Sequence, residues 1–366
     1  MKAKESILEK FKWWQKVLIV IGIILAVLLV FLLGLLIFLT VNDYKPEKYE
    51  DLDIKEQNQQ SLSLNEEQDL LSWNLGFAAL GDNADFFMDG GEMVNPSSKE
   101  RVTSNLSNMQ KIIQDIDPNF LFLQEVDYDS DRSYGINQVD YFNDSFKEHS
   151  ASYARNYKVK YVPFPIPPIG KVDSGIETLS QYKVSSATRV QLPVPFSWPV
   201  STANLKRCLL VSRIPIADSE KELVLVNLHL EAYDSGEGKA KQTEQLANLL
   251  ASERDKGNYV IAGGDFNQVF SNVDMSKYKT KPGTWQAGSL DTSKFQDFKA
   301  LQDSSIPTCR SLDIPLKGAD LENFQWYVLD GFIVSDNIEV NKMQTLDYGF
   351  KYTDHNPVYL NFTLKG

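Results

Sequence analysis

Several features that classify many sequences are scarce or missing in this chain. It has only two cysteines, Cys208 and Cys309, which are too few for a disulfide framework. Its 37 Lys and Arg are outnumbered by 49 Asp and Glu, which gives a formal net charge of -12. Because Lys and Arg supply most of the non-specific affinity for nucleic acid, this balance argues against a protein that grips long DNA or RNA.

Internal repeats and Gly/Ser or Pro/Ser linkers are also missing from residue 69 onward. The C-terminal part, 69–366, is therefore within the size range of one large domain. Residues 42–68 are polar and acidic and show no helical or strand periodicity, so we predict that they form a solvated stalk.

One long apolar run stands before this stalk. Residues 17–41 carry no charged side chain and are rich in Ile, Leu, Val and Phe. At about 1.5 Å per helical residue, the run exceeds the hydrocarbon core of about 30 Å. A cleaved signal peptide would have a shorter apolar region and a small-residue cleavage site. The run therefore predicts an uncleaved transmembrane signal anchor, and no second run of this length occurs.

The flanks of the run predict its orientation. Residues 1–16 contain five lysines and two glutamates, whereas the other 350 residues have a net charge of -15. Lysine-rich flanks stay on the cytoplasmic side. We therefore expect a single-pass protein of the cell membrane, with residues 1–16 as a cytoplasmic tail and the C-terminal body outside the cell.

The body alternates short apolar runs with amphipathic segments. A capping box at Ser97 and Glu100 predicts one helix, and a second is predicted over 238–254. Strands are predicted at 70–75, 120–123, 209–214, 223–230, 259–262, 327–334 and 358–364. Interleaved strands and helices indicate an α/β body with helices outside the sheets.

Polar residues interrupt or follow these apolar runs at their ends. They are Asn74, Glu125, His229, Asp265, Asn267, Asp330, Asp354 and His355. Each alone has an ordinary explanation as a turn former or a cap. A buried charge or imidazole is costly unless it is paired or bound to a metal, and all of these fall at strands of one body. Their convergence predicts one shared polar site.

The ordered motifs carry a family resemblance. They are Trp73-Asn74, Gln124-Glu125, Asn227-Leu228-His229, Gly264-Asp265-Phe266-Asn267, Leu329-Asp330 and Asp354-His355-Asn356-Pro357. In this order they resemble the endonuclease/exonuclease/phosphatase superfamily, whose relatives include DNase I, exonuclease III-type nucleases and bacterial neutral sphingomyelinases. The resemblance covers about residues 70–364 and implies a four-layered α/β sandwich of the DNase I-like type.

The resemblance also implies phosphoester hydrolysis with a divalent metal, usually magnesium, with manganese as the alternative. Magnesium is a hard cation that prefers oxygen ligands. Glu125 is the first choice as a ligand, with Asp354 and the Asn74 amide beside it.

Catalytic roles are carried over in the same way. Asp265 would accept a proton from, or orient, the attacking water, and Asn267 would hold phosphate or metal oxygens. His355 would bind or protonate a non-bridging oxygen or serve as a base, with Asp330 fixing its tautomer. His229 matches the leaving-group acid of the DNase I and sphingomyelinase branches.

Other roles are less well indicated by the sequence. Glu177 is one candidate for the partner that orients His229. Arg132 and Arg189 are candidates for holding phosphate oxygens, although each is equally suited to an ordinary ion pair.

Two apolar, proline-rich segments, 161–168 and 191–200, bear on the substrate. They are either extended loops packed on the sheet edge or surfaces that contact a ligand or a membrane. Our leading hypothesis is a membrane-anchored, extracytoplasmic, metal-dependent phosphodiesterase that acts on a lipid-linked or small phosphodiester, such as a lipid or glycolipid headgroup. An anchored extracellular endonuclease or exonuclease is the alternative enzyme. A different class of function is a non-catalytic binding protein with the same fold. The complete set of polar site residues argues against it, because a protein without catalysis has no chemical reason to keep them.

Overall fold

The computed structural model describes residues 11–55 and 58–366. The predicted cytoplasmic tail, 1–16, thus falls mainly outside the described residues. The helices are α1 (Trp13–Val41), α2 (Lys99–Ile116), α3 (Gln138–Ser145) and α4 (Glu237–Asp255). The strands are β1 (Tyr49–Asp51), β2 (Ile54–Lys55), β3 (Glu67–Asn74), β4 (Phe120–Asp127), β5 (Ser150–Val162), β6 (Gly170–Ser180), β7 (Ser186–Gln191), β8 (Cys208–Pro215), β9 (Glu222–His229), β10 (Tyr259–Asp265), β11 (Gln268–Phe270), β12 (Gly288–Leu290), β13 (Phe298–Leu301), β14 (Cys309–Arg310), β15 (Trp326–Tyr327), β16 (Asp330–Ser335), β17 (Ile338–Thr345) and β18 (Val358–Leu364).

Helix α1 contains the predicted membrane span. It is 29 residues long, and its apolar centre is not buried against the rest of the described chain. Leu39, near the C-terminal end, is its buried residue. Exposing so much apolar surface to water is unfavourable. By length and composition, α1 is therefore suited to cross a membrane.

Two seven-stranded sheets pack face to face at the centre of the domain. The first has the order β1-β7-β8-β9-β10-β16-β13, and the second has the order β17-β18-β3-β4-β6-β5-β2. Apolar side chains from both sheets, including Phe120, Phe332 and Phe362, fill the space between them. Helices α2 and α3 pack on the second sheet, and α4 packs on the first. The result is the predicted four-layered α/β sandwich.

Most predicted elements coincide with observed ones, although some differ and others, among them α3, β7 and β17, were not predicted. Helix α2 is capped by Ser98, whose hydroxyl accepts a hydrogen bond from the Arg101 backbone N–H, and not by Ser97. The predicted strand 327–334 is split, because β15 ends at Tyr327 and β16 begins at Asp330. The long strands β5 and β6 were not predicted from apolar runs, because many of their residues are polar and are buried only by tertiary packing.

The expectation of a solvated stalk over 42–68 is corrected by the structure. Strand β1 pairs with β7 at the edge of the first sheet, and β2 pairs with β5 at the edge of the second. Leu62 is fully buried between the sheets. Strands of two or three residues are too short to show a period of two, and the edges that pair with them exist only in the folded domain. The segment after α1 is thus attached to the domain.

The sheet register brings the polar strand ends together. Strands β9 and β10 are parallel, and Asp265 lies opposite both His229 on β9 and Asp330 on β16. In the second sheet, β3 and β4 are also parallel, with Asn74 opposite Gln124. Because the carboxyl ends of neighbouring parallel strands meet at one edge, these side chains surround one location.

Candidate active site

A cavity lies at this edge of the two sheets. Six of the eight predicted site residues line it: Glu125, His229, Asp265, Asn267, Asp354 and His355. The other two, Asn74 and Asp330, do not line the cavity, but each is hydrogen-bonded to residues that do. The structure therefore brings the whole predicted set into one connected site.

Glu125 is positioned by an irregularity in β4. The pairing with β6 is interrupted between Leu123 and Val126, and Glu125 has a φ of 54°. A β-bulge re-aims the side chain of the extra residue, and a left-handed backbone is strained in a residue with a Cβ atom. Burial raises the pKa of the Glu125 carboxyl; Arg132 opposes this effect, whereas Asp354 adds to it. Two carboxylates thus face the cavity near each other.

Asn74 connects carboxylates from the two sheets. Its Nδ2 donates to Glu125 Oε1 at 3.1 Å and to Asp265 Oδ2 at 3.0 Å. Its Oδ1 accepts from the Gly76 backbone N–H at 3.0 Å. In this arrangement Asn74 orients two acidic side chains, and its amide oxygen is already engaged. Its role as a metal ligand stays a prediction.

His355 and Asp330 form the buried pair that was predicted. His355 Nδ1 is 2.8 Å from Asp330 Oδ2, and the His355 carbonyl accepts a hydrogen bond from the Trp73 indole N–H at 2.9 Å. Burial alone would lower the pKa of His355, but Asp330 and the nearby Asp265 and Asp354 raise it well above its ordinary value. His355 is therefore suited to present a protonated ring, with Nε2 directed toward Asp265 and Asp354.

Asp265 lies at the centre of the site. Its Oδ1 accepts from the Asn267 backbone N–H at 2.8 Å, and its Oδ2 is 3.5 Å from His229 Nε2 and 3.7 Å from His355 Nε2. Burial raises its pKa, and His355 acts in the opposite direction. The Asn267 side-chain amide donates to the Leu230 carbonyl at 2.9 Å. Asp265 can thus contact a water or a hydroxyl held between the two imidazoles.

His229 differs from His355 in the direction of its pKa shift and in its partners. Burial, together with Arg207 and His355, lowers the pKa of His229 well below its ordinary value, which favours the neutral ring. Its Nδ1 is buried without a hydrogen-bond partner among the described residues. Glu177 does not supply that partner, because both of its carboxyl oxygens are buried and unpaired, and its charged neighbours are Asp140 and Lys55. The proposed pairing of Glu177 with His229 is therefore wrong.

The two candidate phosphate-binding arginines are already engaged. Arg132 lines the cavity, but its guanidinium contacts both oxygens of Asp127, at 2.9 and 3.2 Å. Arg189 is buried, donates to the carbonyls of Arg155 and Lys206, and does not line the cavity. Arg189 therefore stabilises the fold and does not contact the site.

The donors around the cavity fit a hard divalent cation. Glu125, Asp265 and Asp354 line the cavity and offer carboxylate oxygens. Asp330 does not line it, but its carboxylate groups with Asp265 and His355, with ligand atoms within 4.8 Å of one another. Oxygen donors of this kind suit Mg²⁺ or Mn²⁺. Cys309 lies beside Asp354 and His355, and burial raises the pKa of its thiol to about 12. Neither cysteine forms a disulfide.

Several cavity residues were not found from the sequence. Arg207 Nε lies 3.3 Å from Glu231 Oε2, and the Tyr233 hydroxyl donates to Asp89 Oδ1 at 3.2 Å. Burial and the negative charge of Asp354 raise the pKa of Asp89 to about 7. These residues lie in loops, where the sequence shows no periodicity. The one indication in the sequence that any of them belongs to the site is that Glu231 and Tyr233 closely follow the motif that ends at His229.

Comparisons with known proteins identify a family and a shared fold. Residues 71–331 match the sequence profile of the Endonuclease/Exonuclease/phosphatase family. The comparison with curated proteins found no match.

Solved structures share the fold at low identity. An endonuclease/exonuclease/phosphatase from Beutenbergia cavernae is 14% identical with a TM-score of 0.56, over 82% of this chain and 72% of that one. The human Nocturnin catalytic domain, solved with sulfate, is 14% identical with a TM-score of 0.51, over 86% and 97%. ANGEL2, a 2',3'-cyclic phosphatase, is 13% identical with a TM-score of 0.53, over 86% and 99%. The chain belongs to the endonuclease/exonuclease/phosphatase family, whose members are divalent-metal-dependent phosphoester hydrolases.

Proposed function

We propose that the protein is a membrane-anchored phosphodiesterase that acts outside the cytoplasm on a lipid-linked or small phosphodiester. The observation that carries the proposal is the pair of imidazoles at Asp265: Nε2 of His229 and Nε2 of His355 lie 3.5 and 3.7 Å from Asp265 Oδ2, and the pKa values of the two rings are shifted in opposite directions. Hydrolysis of a phosphodiester needs a group to stabilise negative charge and another to assist the leaving oxygen. The two histidines are suited to these different tasks.

The charged ring is suited to bind the phosphoryl group. His355, held by Asp330, would donate a hydrogen bond from Nε2 to a non-bridging oxygen. The donor is fixed before the reaction because Nδ1 is bound to Asp330 at 2.8 Å and the backbone is held by Trp73. Preorganised donors lower the cost of developing charge in the transition state.

The carboxylate between the rings would act on water. Asp265 Oδ2 would accept a hydrogen bond from the attacking water and orient it, while the Asn267 backbone N–H and the Asn74 amide hold the carboxylate in place. A raised pKa makes Asp265 a better proton acceptor than an exposed aspartate.

The neutral ring would assist the leaving group. A negatively charged phosphoryl group nearby would raise the pKa of His229 on binding, so that the ring could take up a proton from solvent and pass its Nε2 proton to the leaving oxygen. His229 lines the cavity, and its Nε2 is 3.5 Å from Asp265 Oδ2.

Glu125 and Asp354 would hold a magnesium or manganese ion, with Asn74 orienting Glu125. When bound, the ion would offset negative charge on the phosphoryl group. The carboxylate oxygens that line the cavity support this choice of metal class.

An assay on the full chain in detergent tests the proposal. Hydrolysis of bis(p-nitrophenyl) phosphate should require Mg²⁺ or Mn²⁺ and stop with a chelator. Asp265→Asn should lower kcat by at least about 100-fold, the range for a lost acid-base group. Asp303→Asn is the matched control, because Asp303 accepts backbone hydrogen bonds from Ser305 and Thr345 and does not line the cavity.

The assay also separates the alternatives. No turnover with any divalent ion would favour the non-catalytic binding protein. Efficient nicking of plasmid DNA with no release of headgroups from phospholipid micelles would favour the anchored nuclease. The cavity lining favours the smaller substrate, because aromatic and apolar side chains such as Phe77, Phe86, Trp285 and Tyr327 face it beside the polar site.

A further inference from the structure

Two neighbouring loops beside the cavity expose large apolar side chains. The first, 163–169, joins β5 to β6 and carries Phe164 and Ile166, which are 69% and 92% exposed. The second, 192–207, joins β7 to β8 and carries Trp198 and Val200, which are 60% and 54% exposed. We call these four side chains the apolar rim.

Strand β5, which leads into the first loop, is hydrogen-bonded to the second loop, and both loops border the cavity. The Tyr157 hydroxyl, on β5, donates to the Ala203 carbonyl at 3.2 Å, and the Lys206 N–H donates to the Asn156 carbonyl at 2.6 Å. Ile169 from the first loop and Leu205 from the second both line the cavity. The rim and the cavity therefore belong to the same part of the surface.

The end of α1 is attached to the second loop. The Trp198 indole N–H donates to Thr40 Oγ1 at 3.0 Å, and Lys206 Nζ lies 3.2 Å from Asp43 Oδ1. Directly afterwards, β1 pairs with β7. The chain thus passes from the helix to the domain without a free linker.

This attachment fixes the height of the rim if α1 spans a bilayer. Thr40 is the penultimate residue of the 29-residue helix, which at about 1.5 Å per residue is longer than a hydrocarbon core of about 30 Å. Thr40 would therefore lie near the headgroups, and Trp198 with it. Tryptophan prefers this interface, and exposed apolar patches are otherwise costly in water.

The charge of this region also fits a membrane surface. The chain is acidic overall, yet Lys158 and Lys160 are exposed on the strand that enters the first loop. Lys158 Nζ lies 5.9 Å from the ring of Tyr44, in the segment that leaves α1. Lysines next to a membrane are attracted to anionic headgroups.

We propose that the apolar rim inserts into the leaflet from which α1 emerges, so that the cavity opens onto the bilayer and admits phosphate groups of membrane lipids. The occupant of this surface is the bilayer itself. The second half of the inference rests on the proposed function, whereas the insertion of the rim does not.

Site-directed fluorescence tests the insertion without any need for activity. Both native cysteines are buried, so a single introduced cysteine can be labelled selectively. The full chain would carry Ile166→Cys or Val200→Cys with an NBD label, in nanodiscs of phosphatidylcholine and phosphatidylglycerol. Leu321→Cys is the control, because Leu321 is 55% exposed and lies outside both loops.

We expect a blue-shifted emission at 166 and 200 and a loss of fluorescence when nitroxide-labelled lipids are included, with neither change at 321. Emission at 166 or 200 that matches position 321 would overturn the insertion.

A kinetic comparison tests the opening of the cavity onto lipid. If lipid phosphates reach the site, KM for bis(p-nitrophenyl) phosphate should be higher in phospholipid nanodiscs than in dodecyl maltoside micelles, which contain no phosphate, with kcat unchanged. The double variant Phe164→Ser/Ile166→Ser should reduce this difference. An equal KM in the two environments would overturn the opening onto lipid. Failure of the wild type to hydrolyse the substrate at all would refute the proposed function and leave the fluorescence result valid.

Discussion

Replacing Asp330 with Asn isolates the charge that acts on His355. The substitution keeps the size of the side chain and an oxygen that can accept the Nδ1–H hydrogen bond, but it removes a negative charge 2.8 Å from the ring. Two unit charges at that distance interact by about 6 kcal/mol at an effective dielectric constant of about 20. Asn keeps the hydrogen bond, and Asp265 and Asp354 remain 3.7 and 4.0 Å from Nε2. We therefore expect the substitution to remove about 3–4 kcal/mol of transition-state stabilisation, which would lower kcat/KM about 100- to 1000-fold.

The pH profile distinguishes this electrostatic role from a structural one. The carboxylates raise the pKa of His355, so the wild-type ring should stay protonated at neutral pH. Without Asp330 the pKa falls, and the charged ring is lost at neutral pH but regained in acid. The activity profile of Asp330→Asn should thus move toward lower pH, measured with bis(p-nitrophenyl) phosphate at saturating Mg²⁺. Asp303→Asn should show neither change. A decrease of less than about tenfold together with an unchanged profile would refute the reasoning.

Three further predictions concern the metal, the cavity loop and the leaving group. Mg²⁺ at about 100 times its Kd should stabilise the protein by about 2.7 kcal/mol, measured as a rise in Tm in a thermal melt. Glu125→Gln should abolish this stabilisation. A wild-type Tm that neither Mg²⁺ nor Mn²⁺ changes would contradict the metal site. Burial and Asp354 raise the pKa of Asp89 to about 7. Its contribution to stability is therefore complete below its unfolded pKa and is lost as the pH rises through 7. With a chelator present, the free energy of unfolding of Asp89→Asn should fall less between pH 5 and pH 8 than that of the wild type. The same dependence of the unfolding free energy on pH in both proteins would contradict this prediction. His229→Gln should slow a substrate with an alkyl leaving group far more than one with p-nitrophenolate, which needs no acid; equal losses on both substrates would argue against the leaving-group role.

The sequence predicts the positions of polar residues well because strand ends are local features. Glu125 and Asp265 each follow an apolar run that is visible in the sequence, and both face the cavity. The sequence does not show that β4 bulges at Glu125, because a bulge depends on the partner strand β6. It also does not reveal Asp89, which comes near the site only because its loop meets Tyr233.

Pairings between distant residues were less predictable. The partnership of Asp330 with His355 followed from the family resemblance and is confirmed. The partnership of Glu177 with His229 is wrong, because the unpaired carboxyl of Glu177 has Asp140 and Lys55 as its charged neighbours. Which face of a strand meets which neighbour depends on register and sheet packing, which no local pattern encodes.

Amino-acid order alone was sufficient for the apolar helix, the α/β class and the set of side chains at the strand ends, since each depends on periodicity or composition within a short window. Tertiary structure was needed to show that 42–68 is attached to the sheets, that the pKa values of His229 and His355 are shifted in opposite directions, and that the loop with Trp198 contacts the end of α1. These properties arise from burial and from contacts between residues far apart in the chain, and they exist only once the two sheets have packed together.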